Sequence, residues 1–348
     1  MIRPSPLLLR LIPVLALSGT ACAAGLAPVV LPRFVGPLPA AEAAAIGTLP
    51  YSPGDVALAW LPDDSLLVAH MEIYRTVDAL AGTCAGTGFY KVPAAGGNPR
   101  MVAAGERACF ATRTLPAAAA DGSSVVFAVL GDRGARFARY TLATNRIDTL
   151  TTGCVNHRFP AVSPRGGRIA WGGCAAGEDG IWIARADGGD AHEISPPTHR
   201  DTRYPSWSPD GATLAYGVGP GPSPRRIALV DTLGAGRVLG VAGDNPSWSP
   251  DGRWIAFLAD PVYPCLNSVR LVRPDGTEER TMFVNEVTTT FSVGAGVARE
   301  GQSCGPLVWS PDSSTLLFPR YFVGGESVWG LDVASGRTRP VTSPEGPR

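Results

Sequence analysis

A short string, Trp-Ser-Pro-Asp-Gly, recurs along the sequence and constrains the fold more than any other feature. It occurs whole at residues 204–218 and 245–259, and as Trp-Ser-Pro-Asp at 305–318, each time between apolar segments. Proline fixes φ, aspartate accepts hydrogen bonds from its own backbone, and glycine adopts positive φ, so the string predicts a tight turn between two strands. Three less regular copies cover residues 57–70, 115–129 and 159–171.

Each copy is followed by a second hairpin pattern, so that one unit supplies four short strands. The second hairpins cover residues 89–102, 137–150, 181–194, 226–239, 269–283 and 328–341. A four-stranded unit that recurs about every 40 to 50 residues is typical of a propeller blade, and we interpret the two longer spacings as loop insertions. The sequence therefore predicts an all-β fold, a six-bladed β-propeller of four-stranded antiparallel blades. A seventh blade would require one further, strongly degenerate repeat within residues 24–54.

The composition agrees with many short strands joined by turns. Charged residues make up only 17% of the chain, while glycine (42) and proline (33) are abundant, and both residues are costly inside helices. The 45% hydrophobic fraction argues against disorder. Thirty basic residues balance thirty acidic ones without a basic stripe, so no nucleic-acid partner is predicted.

The first residues have the layout of an export signal. Arg3 and Arg10 flank or interrupt an apolar run, which is followed by small residues. Cleavage before Ala24 and lipidation of Cys22 both fit this segment. We therefore predict a signal peptide over residues 1–23, a Pro/Ala-rich linker over 24–50 and the propeller over 51–348. The mature protein is expected in the periplasm or as a lipoprotein at the outer membrane, with membrane contact only through that anchor.

The repeated turn, combined with second hairpins that turn at Asp187-Gly188 and Asp275-Gly276, resembles the TolB-type β-propeller family over about residues 50–343. The resemblance implies a periplasmic propeller but indicates almost nothing about its activity. TolB proteins carry an additional N-terminal α/β domain, which we do not expect here because only residues 24–54 precede the first blade. No Gly-x-Ser-x-Gly nucleophile motif of the prolyl-oligopeptidase-type peptidases follows the propeller.

Six cysteines remain once Cys22 is set aside, and an even number in an exported chain predicts disulfides. In a propeller of this kind, the links between blades and the loops between second and third strands share one face. The cysteines fall in those segments, which predicts three local pairs: Cys84–Cys109, Cys154–Cys174 and Cys265–Cys304.

The links that precede the first strands of blades 3, 4 and 5 are the predicted ligand site, at the mouth of the central channel. Arg158 and Arg203 fall at equivalent positions, so two guanidinium groups could face one anionic ligand. An alternative interpretation makes them exposed or blade-bridging arginines. The predicted ligand-binding residues are His157, Arg158, Arg203, Tyr204, Asp244 and Asn245. No catalytic residue, metal ligand or cofactor is predicted.

Histidines offer a possible metal site, since His70, His157 and His199 map to the face that carries the cysteines. We interpret them as surface histidines, because the blades that carry them are not all neighbours.

Three functions fit these observations. The favoured one is a monomeric, non-catalytic scaffold that binds an envelope protein or glycan. The rival is a metal-dependent lyase or lactonase of the propeller type, for which Asp244, Asn245, His157 and His199 are the only residues suited to a channel-mouth site. The third is a purely structural stalk or sensor domain.

Overall fold

The protein is described from a computed structural model, in which 25 β-strands account for all regular structure of the described residues. The structure describes residues 49–50, 54–75, 85–95, 100–104, 116–131, 134–154, 158–174, 180–219, 225–259, 268–284, 306–322 and 325–341. Within these ranges, no helix has the length and apolar character needed to cross a membrane.

The strands form six blades of four antiparallel strands, A to D, in chain order. A short strand, β1 (Leu49–Pro50), precedes them. Blades 1 to 3 contain β2 (Gly54–Trp60), β3 (Ser65–Arg75), β4 (Ala85–Pro93), β5 (Arg100–Ala104); β6 (Ala117–Ala118), β7 (Ser124–Gly131), β8 (Gly134–Thr141), β9 (Arg146–Thr149); and β10 (Arg158–Val162), β11 (Arg168–Gly172), β12 (Ile181–Arg185), β13 (His192–Glu193). Blades 4 to 6 contain β14 (Arg203–Trp207), β15 (Thr213–Val218), β16 (Arg226–Asp231), β17 (Gly236–Ala242); β18 (Asp244–Trp248), β19 (Ile255–Ala259), β20 (Ser268–Val272), β21 (Arg280–Val284); and β22 (Val308–Trp309), β23 (Thr315–Phe322), β24 (Gly325–Asp332), β25 (Thr338–Pro340).

The predicted six-bladed propeller is confirmed, with two corrections to strand bounds. Strand β1, which lies in the predicted linker, pairs with the end of β3, as Leu49 lies opposite Arg75. Strand β3 continues to Arg75, beyond His70, the last residue of the repeat copy at 57–70. This extension pairs with β4, and the blade 1 hairpin is therefore longer than its repeat pattern indicates.

Within the described residues, the ring closes without an exchange of strands between blades 6 and 1. Strand A is the inner strand of each blade. Each inner strand contacts the inner strand of the next blade, and β22 of blade 6 contacts β2 of blade 1. Strand β25 pairs with β24, so blade 6 is completed by its own chain segment. A single parallel bridge between Gly54 and Glu326 joins the two blades. Residues 28–35, considered as an alternative edge strand, lie outside the described residues.

The repeated tryptophans pack between blades. Trp207 and Trp309 are buried, and each donates its indole N–H to a carbonyl of the preceding inner strand, Ala161 O at 3.3 Å and Ser247 O at 3.0 Å. Trp248 is half-buried and donates instead to Gly252 O of its own turn, at 3.4 Å. Apolar contact between adjacent sheets supplies the core around these positions.

The Ser-Pro-Asp-Gly segments form turns that satisfy their own polar groups. In blade 5, the Ser249 hydroxyl donates to Asp251 at 2.6 Å and accepts the Trp254 backbone N–H at 2.9 Å. Gly252 has a φ of 73°, a conformation that favours glycine. The aspartates of this repeat are therefore part of the turn, as their spacing predicts.

The ring has two distinct faces. The turn face carries the A–B and C–D turns, whereas the link face carries the links between blades and the B–C loops. Arg158, the first residue of β10, pairs with Gly172, the last residue of β11, which places a link and a B–C loop at the same end. The disulfide predicted between Cys154 and Cys174 is present at this end, with its Sγ atoms 1.99 Å apart and both residues buried.

The remaining cysteine predictions fall on parts of the chain that the structure does not describe. They concern the pairs Cys84–Cys109 and Cys265–Cys304 and the lipidation of Cys22.

Arginines on the turn face join neighbouring blades at the ring's periphery. Arg237 of β17 donates to Pro274 O in the C–D turn of blade 5 at 2.6 Å, and Arg339 of β25 donates to Ala94 O in that of blade 1 at 2.7 Å. Arg139 of β8 donates in the same way to Ala186 O of blade 3. Blade-bridging arginines therefore exist, at positions other than the two predicted for the site.

Candidate functional site

Three successive inner strands begin with the same backbone distortion on the link face. Phe159, Tyr204 and Asn245 have φ values of 53°, 52° and 52°, which are uncommon for residues other than glycine. The pairing of each inner strand with its neighbour shifts register at this point, as in a β-bulge. The bulges place the residue before each of them, Arg158, Arg203 or Asp244, at equivalent positions around the channel mouth.

An ion-pair cluster connects the links of blades 4 and 5. Arg225, whose side chain is only 9% exposed, pairs with Asp201 and with Asp244, the latter at 3.4 Å. Arg203 donates its Nε–H to the same Asp201 carboxylate at 3.1 Å. Two arginines and two aspartates thus balance one another at the mouth of the channel.

Asp244 has an unusual electrostatic environment. Burial raises the pKa of its carboxyl above the ordinary aspartate value, and the nearby Arg225 guanidinium opposes this shift only in part. Its Oδ1 also accepts the backbone N–H of Asn245 at 2.9 Å. A carboxyl whose pKa is raised beside a charged partner makes Asp244 a candidate functional residue.

Two glycines permit the close approach of links to neighbouring blades. A Cβ at Gly217 would lie 2.0 Å from Oδ1 of Asp244, and a Cβ at the equivalent Gly172 would lie 2.8 Å from Thr202 O. A larger residue at Gly172 would displace the backbone of the link into blade 4, and one at Gly217 would displace the Asp244 carboxylate. These glycines at the ends of B strands therefore set the positions of the charged residues.

Arg158 differs from the other charged residues of the mouth. It is exposed, and in the part of the chain that the structure describes, no ion pair or hydrogen bond of its side chain is found. Its equivalent, Arg203, is held by Asp201. The mouth therefore combines a neutralised cluster at blades 4 and 5 with an open guanidinium at blade 3.

An aromatic pair lies between the two arginine positions. The rings of Phe159 and Tyr204 have centroids 4.0 Å apart and are tilted by 41°. Phe159 is buried and Tyr204 half-buried. Tyr204 also packs against the apolar cluster of blades 1 and 2.

The structure brings five of the six predicted ligand-binding residues to one mouth. They are Arg158, Arg203, Tyr204, Asp244 and Asn245. His157 lies outside the described residues. Sequence reasoning missed Asp201 and Arg225: Asp201 carried a signal, since it stands two residues before Arg203 in the same link, but Arg225 lies outside the repeat and carried none.

His199 is not a surface residue, so that interpretation is wrong for it. It is buried, and its Nδ1 is hydrogen-bonded to the hydroxyl of Tyr216, a fully buried residue of β15. Burial lowers the pKa of His199 and raises that of Tyr216. Among the described residues, no three His, Cys, Asp or Glu side chains are grouped as a metal site requires.

No family model matches the sequence, and no curated protein matches it either. Solved structures do share its fold. A protein assigned as TolB from Agrobacterium tumefaciens is 21% identical, with a TM-score of 0.53 over 72% of this chain and 91% of that one. TolB from Acinetobacter baumannii is 16% identical, with a TM-score of 0.57 over 75% of this chain. The chain has a TolB-type β-propeller fold.

Two further comparisons limit what the TolB-type fold implies. The chain spans only 60% of the length of the Acinetobacter baumannii TolB. An oligogalacturonate lyase from Vibrio parahaemolyticus is 13% identical, with a TM-score of 0.52 over 81% of this chain and 91% of that one. Similarity at this level shows the architecture and not the activity.

Proposed function

We propose that the chain is an exported TolB-like β-propeller that acts as a non-catalytic binding scaffold in the periplasm or cell envelope. Its ligand, an envelope protein or glycan, docks at the channel mouth on the link face. The observation that carries this proposal is the repeated bulge, which presents Arg158, Arg203 and Asp244 from three successive blades. Repetition of a costly backbone conformation at one mouth favours a functional role.

The electrostatics of the mouth support binding. Asp201, Asp244, Arg203 and Arg225 fix one another in ion pairs, so little side-chain order remains to be imposed when a ligand arrives. The open Arg158 guanidinium supplies a charge that a ligand can neutralise. Because the mouth is formed by inner strands of a closed ring, its geometry is held by the whole fold.

The expected location rests on the signal-like segment at residues 1–23, the disulfide at Cys154–Cys174 and the similarity of fold to TolB. Fractionation of cells that express the full chain tests it. The protein should reach the periplasmic or membrane fraction, and Cys22→Ala should release it from the membrane fraction if lipid anchors it. Retention of the whole protein in the cytoplasm would contradict export.

Site-specific photocrosslinking in such cells tests the docking site. A photoreactive amino acid at position 200, an exposed residue of the link into blade 4, should yield a discrete crosslinked envelope component, and the additional change Arg158→Ala should weaken that band. The matched control is position 165, an exposed arginine in the A–B turn of blade 3. Equal labelling from both positions would show that the link face has no special role.

A second candidate function is acid–base catalysis on an acidic saccharide. The raised pKa of Asp244 beside Arg225 favours it, as does the presence of an oligogalacturonate lyase among proteins of similar fold. Polygalacturonate incubated with the protein, with and without added divalent metal, should then yield unsaturated products that absorb ultraviolet light. Turnover that Asp244→Asn abolishes would replace the scaffold proposal by this one.

A further inference from the structure

Tyr204 reaches across the ring from the mouth of blade 4. The apolar cluster against which it packs consists of side chains from blades 1 and 2, among them Leu58 and Ala59 of the inner strand β2. In a ring of six, blade 1 lies opposite blade 4, and blade 3 separates blade 4 from blade 2. The Tyr204 side chain must therefore extend across the central channel to make this contact.

Phe159 completes the barrier from the neighbouring blade. Its ring lies against Tyr204, with 4.0 Å between centroids, and it is only 7% exposed. Both residues hold the same left-handed backbone conformation, which aims their side chains from equivalent positions. The rings of Phe159 and Tyr204 consequently form an aromatic floor at the link-face mouth of the channel.

The exposed charge of Arg158 lies next to the aromatic floor of Phe159 and Tyr204. Arg158 directly precedes Phe159, and its side chain is exposed without an ion pair or hydrogen bond among the described residues. The other four charged groups of the mouth are already in ion pairs. Arg200, in the link into blade 4, is also exposed, but Arg158 is the exposed cation that directly adjoins the aromatic pair in the described part of the mouth.

We infer that the mouth is a closed cup that binds the C-terminal carboxylate of a peptide whose last side chain is apolar. The inference rests on the proposed function as a binding scaffold. The Arg158 guanidinium accepts the carboxylate through paired hydrogen bonds, a geometry that suits arginine. The terminal side chain packs against Tyr204, and the aromatic floor prevents an internal segment from threading the channel.

A peptide end fits this mouth better than an acidic saccharide does. A saccharide presents many hydroxyl groups, which need several open donors and acceptors, whereas Asp201, Asp244, Arg203 and Arg225 are committed to one another. One carboxylate and one apolar side chain match one open guanidinium and one aromatic ring. The charge and the apolar surface of the peptide end thus complement those of the mouth.

Fluorescence anisotropy with two labelled peptides tests the inference. Both peptides end in glycine-glycine-leucine, one as the free acid and the other as the C-terminal amide. The full mature protein should bind the free acid about tenfold or more tightly than the amide, the usual value of a hydrogen bond to a charged group. Arg158→Ala should abolish this preference, whereas the control Arg165→Ala, on the turn face, should retain it.

A second variant separates the floor from the charge. Tyr204→Ala should lower the affinity for both peptides by a similar factor, because it removes the apolar contact and leaves Arg158 in place. Circular dichroism should show that each variant still unfolds cooperatively. If Tyr204→Ala does not fold, Tyr204→Phe serves in its place and should bind both peptides like the wild type.

Three results would overturn the inference: equal affinity for acid and amide, binding of neither peptide, or preferential binding of galacturonate oligomers. None of these would by itself remove the proposed scaffold function, since crosslinking from position 200 but not from position 165 would still locate a ligand on the link face. Loss of that positional difference would instead contradict the scaffold proposal.

Discussion

The two faces of the ring use the same residue types for opposite purposes. On the turn face, aspartates accept hydrogen bonds from their own turns, and arginines donate to carbonyls of the next blade. On the link face, Asp244 is half-buried with a raised pKa, while the exposed Arg158 has no ion pair with a described residue. Aspartate and arginine build the scaffold where the repeat is kept, and they form a candidate site where the links depart from it.

The largest expected difference concerns ion pairs. Arg225→Met should lower the free energy of unfolding by about 3 kcal/mol, because it leaves Asp201 and Asp244 without their buried partner. Arg185→Met on the turn face removes pairs to Asp187 and Asp190, but that side chain is 59% exposed, so its loss should cost less than about 1 kcal/mol. Urea denaturation measures both, and equal losses would remove the contrast between the faces.

The disulfide should contribute almost as much. It closes a loop with a sequence separation of 20 residues, and the double change Cys154→Ala and Cys174→Ala should cost about 3 kcal/mol through the greater freedom of the unfolded chain. The denaturation midpoint under non-reducing conditions measures this loss. An unchanged midpoint would show that the link into blade 3 is held by packing and not by the covalent bond.

Two glycines of the A–B hairpin of blade 3 allow the two faces to be compared through smaller changes in stability. Gly172→Ala would bring Cβ to 2.8 Å from Thr202 O, whereas a Cβ at Gly167, near the turn face, meets nothing within 4 Å. The first change should cost about 1–3 kcal/mol through overpacking, and the second should lie within about 0.5 kcal/mol of the wild type. Thermal unfolding of both variants measures the difference, and similar melting temperatures would contradict the close approach.

The smallest expected effect is a difference in acid sensitivity. The Ser310 hydroxyl and the Ser314 backbone N–H lower the pKa of Asp312, and the Lys91 ammonium and Ser65 hydroxyl lower that of Asp63 to about 2. Because their folded pKa values lie below the unfolded value, these groups stabilise the protein above about pH 4 and lose that effect as the pH falls toward 2. Asp312→Asn should flatten this decline.

Asp244 should show the opposite sign. Its folded pKa lies above the unfolded value, so protonation during acidification favours the native state. Asp244→Asn should therefore make the decline in stability with falling pH steeper than in the wild type. Unfolding free energies from urea titrations between pH 7 and pH 2 measure both slopes. Identical slopes in the two variants would contradict the assigned environments.

The sequence predicts the fold well because the repeat is local. Proline, aspartate and glycine specify a turn without distant residues, and the interval between turns specifies the blade. The same register places Cys154 beside Cys174 and puts Arg158 and Arg203 at equivalent positions. All of these inferences need only the position of a residue within its own unit.

Contacts between different blades cannot be predicted from the position of a residue within its own repeat. Arg225 meets Asp201 and Asp244 from a segment outside the repeat, and Tyr204 packs against blades 1 and 2. The burial of His199 depends on Tyr216 in a later strand. The repeat indicates the position of a residue within its own blade but not the residues of other blades that its side chain contacts. The partners within the site are therefore known only from the structure of the closed ring.

The closure of the ring by complete blades has a consequence for how the chain can be cut. Among the described residues, each blade is one uninterrupted stretch of sequence, and blade 6 takes its four strands from residues 308–340. New termini in any exposed link would therefore leave six whole sheets, and circularly permuted versions should assemble the same ring. The order in which the blades are translated is thus free to change, whereas their order around the axis is not.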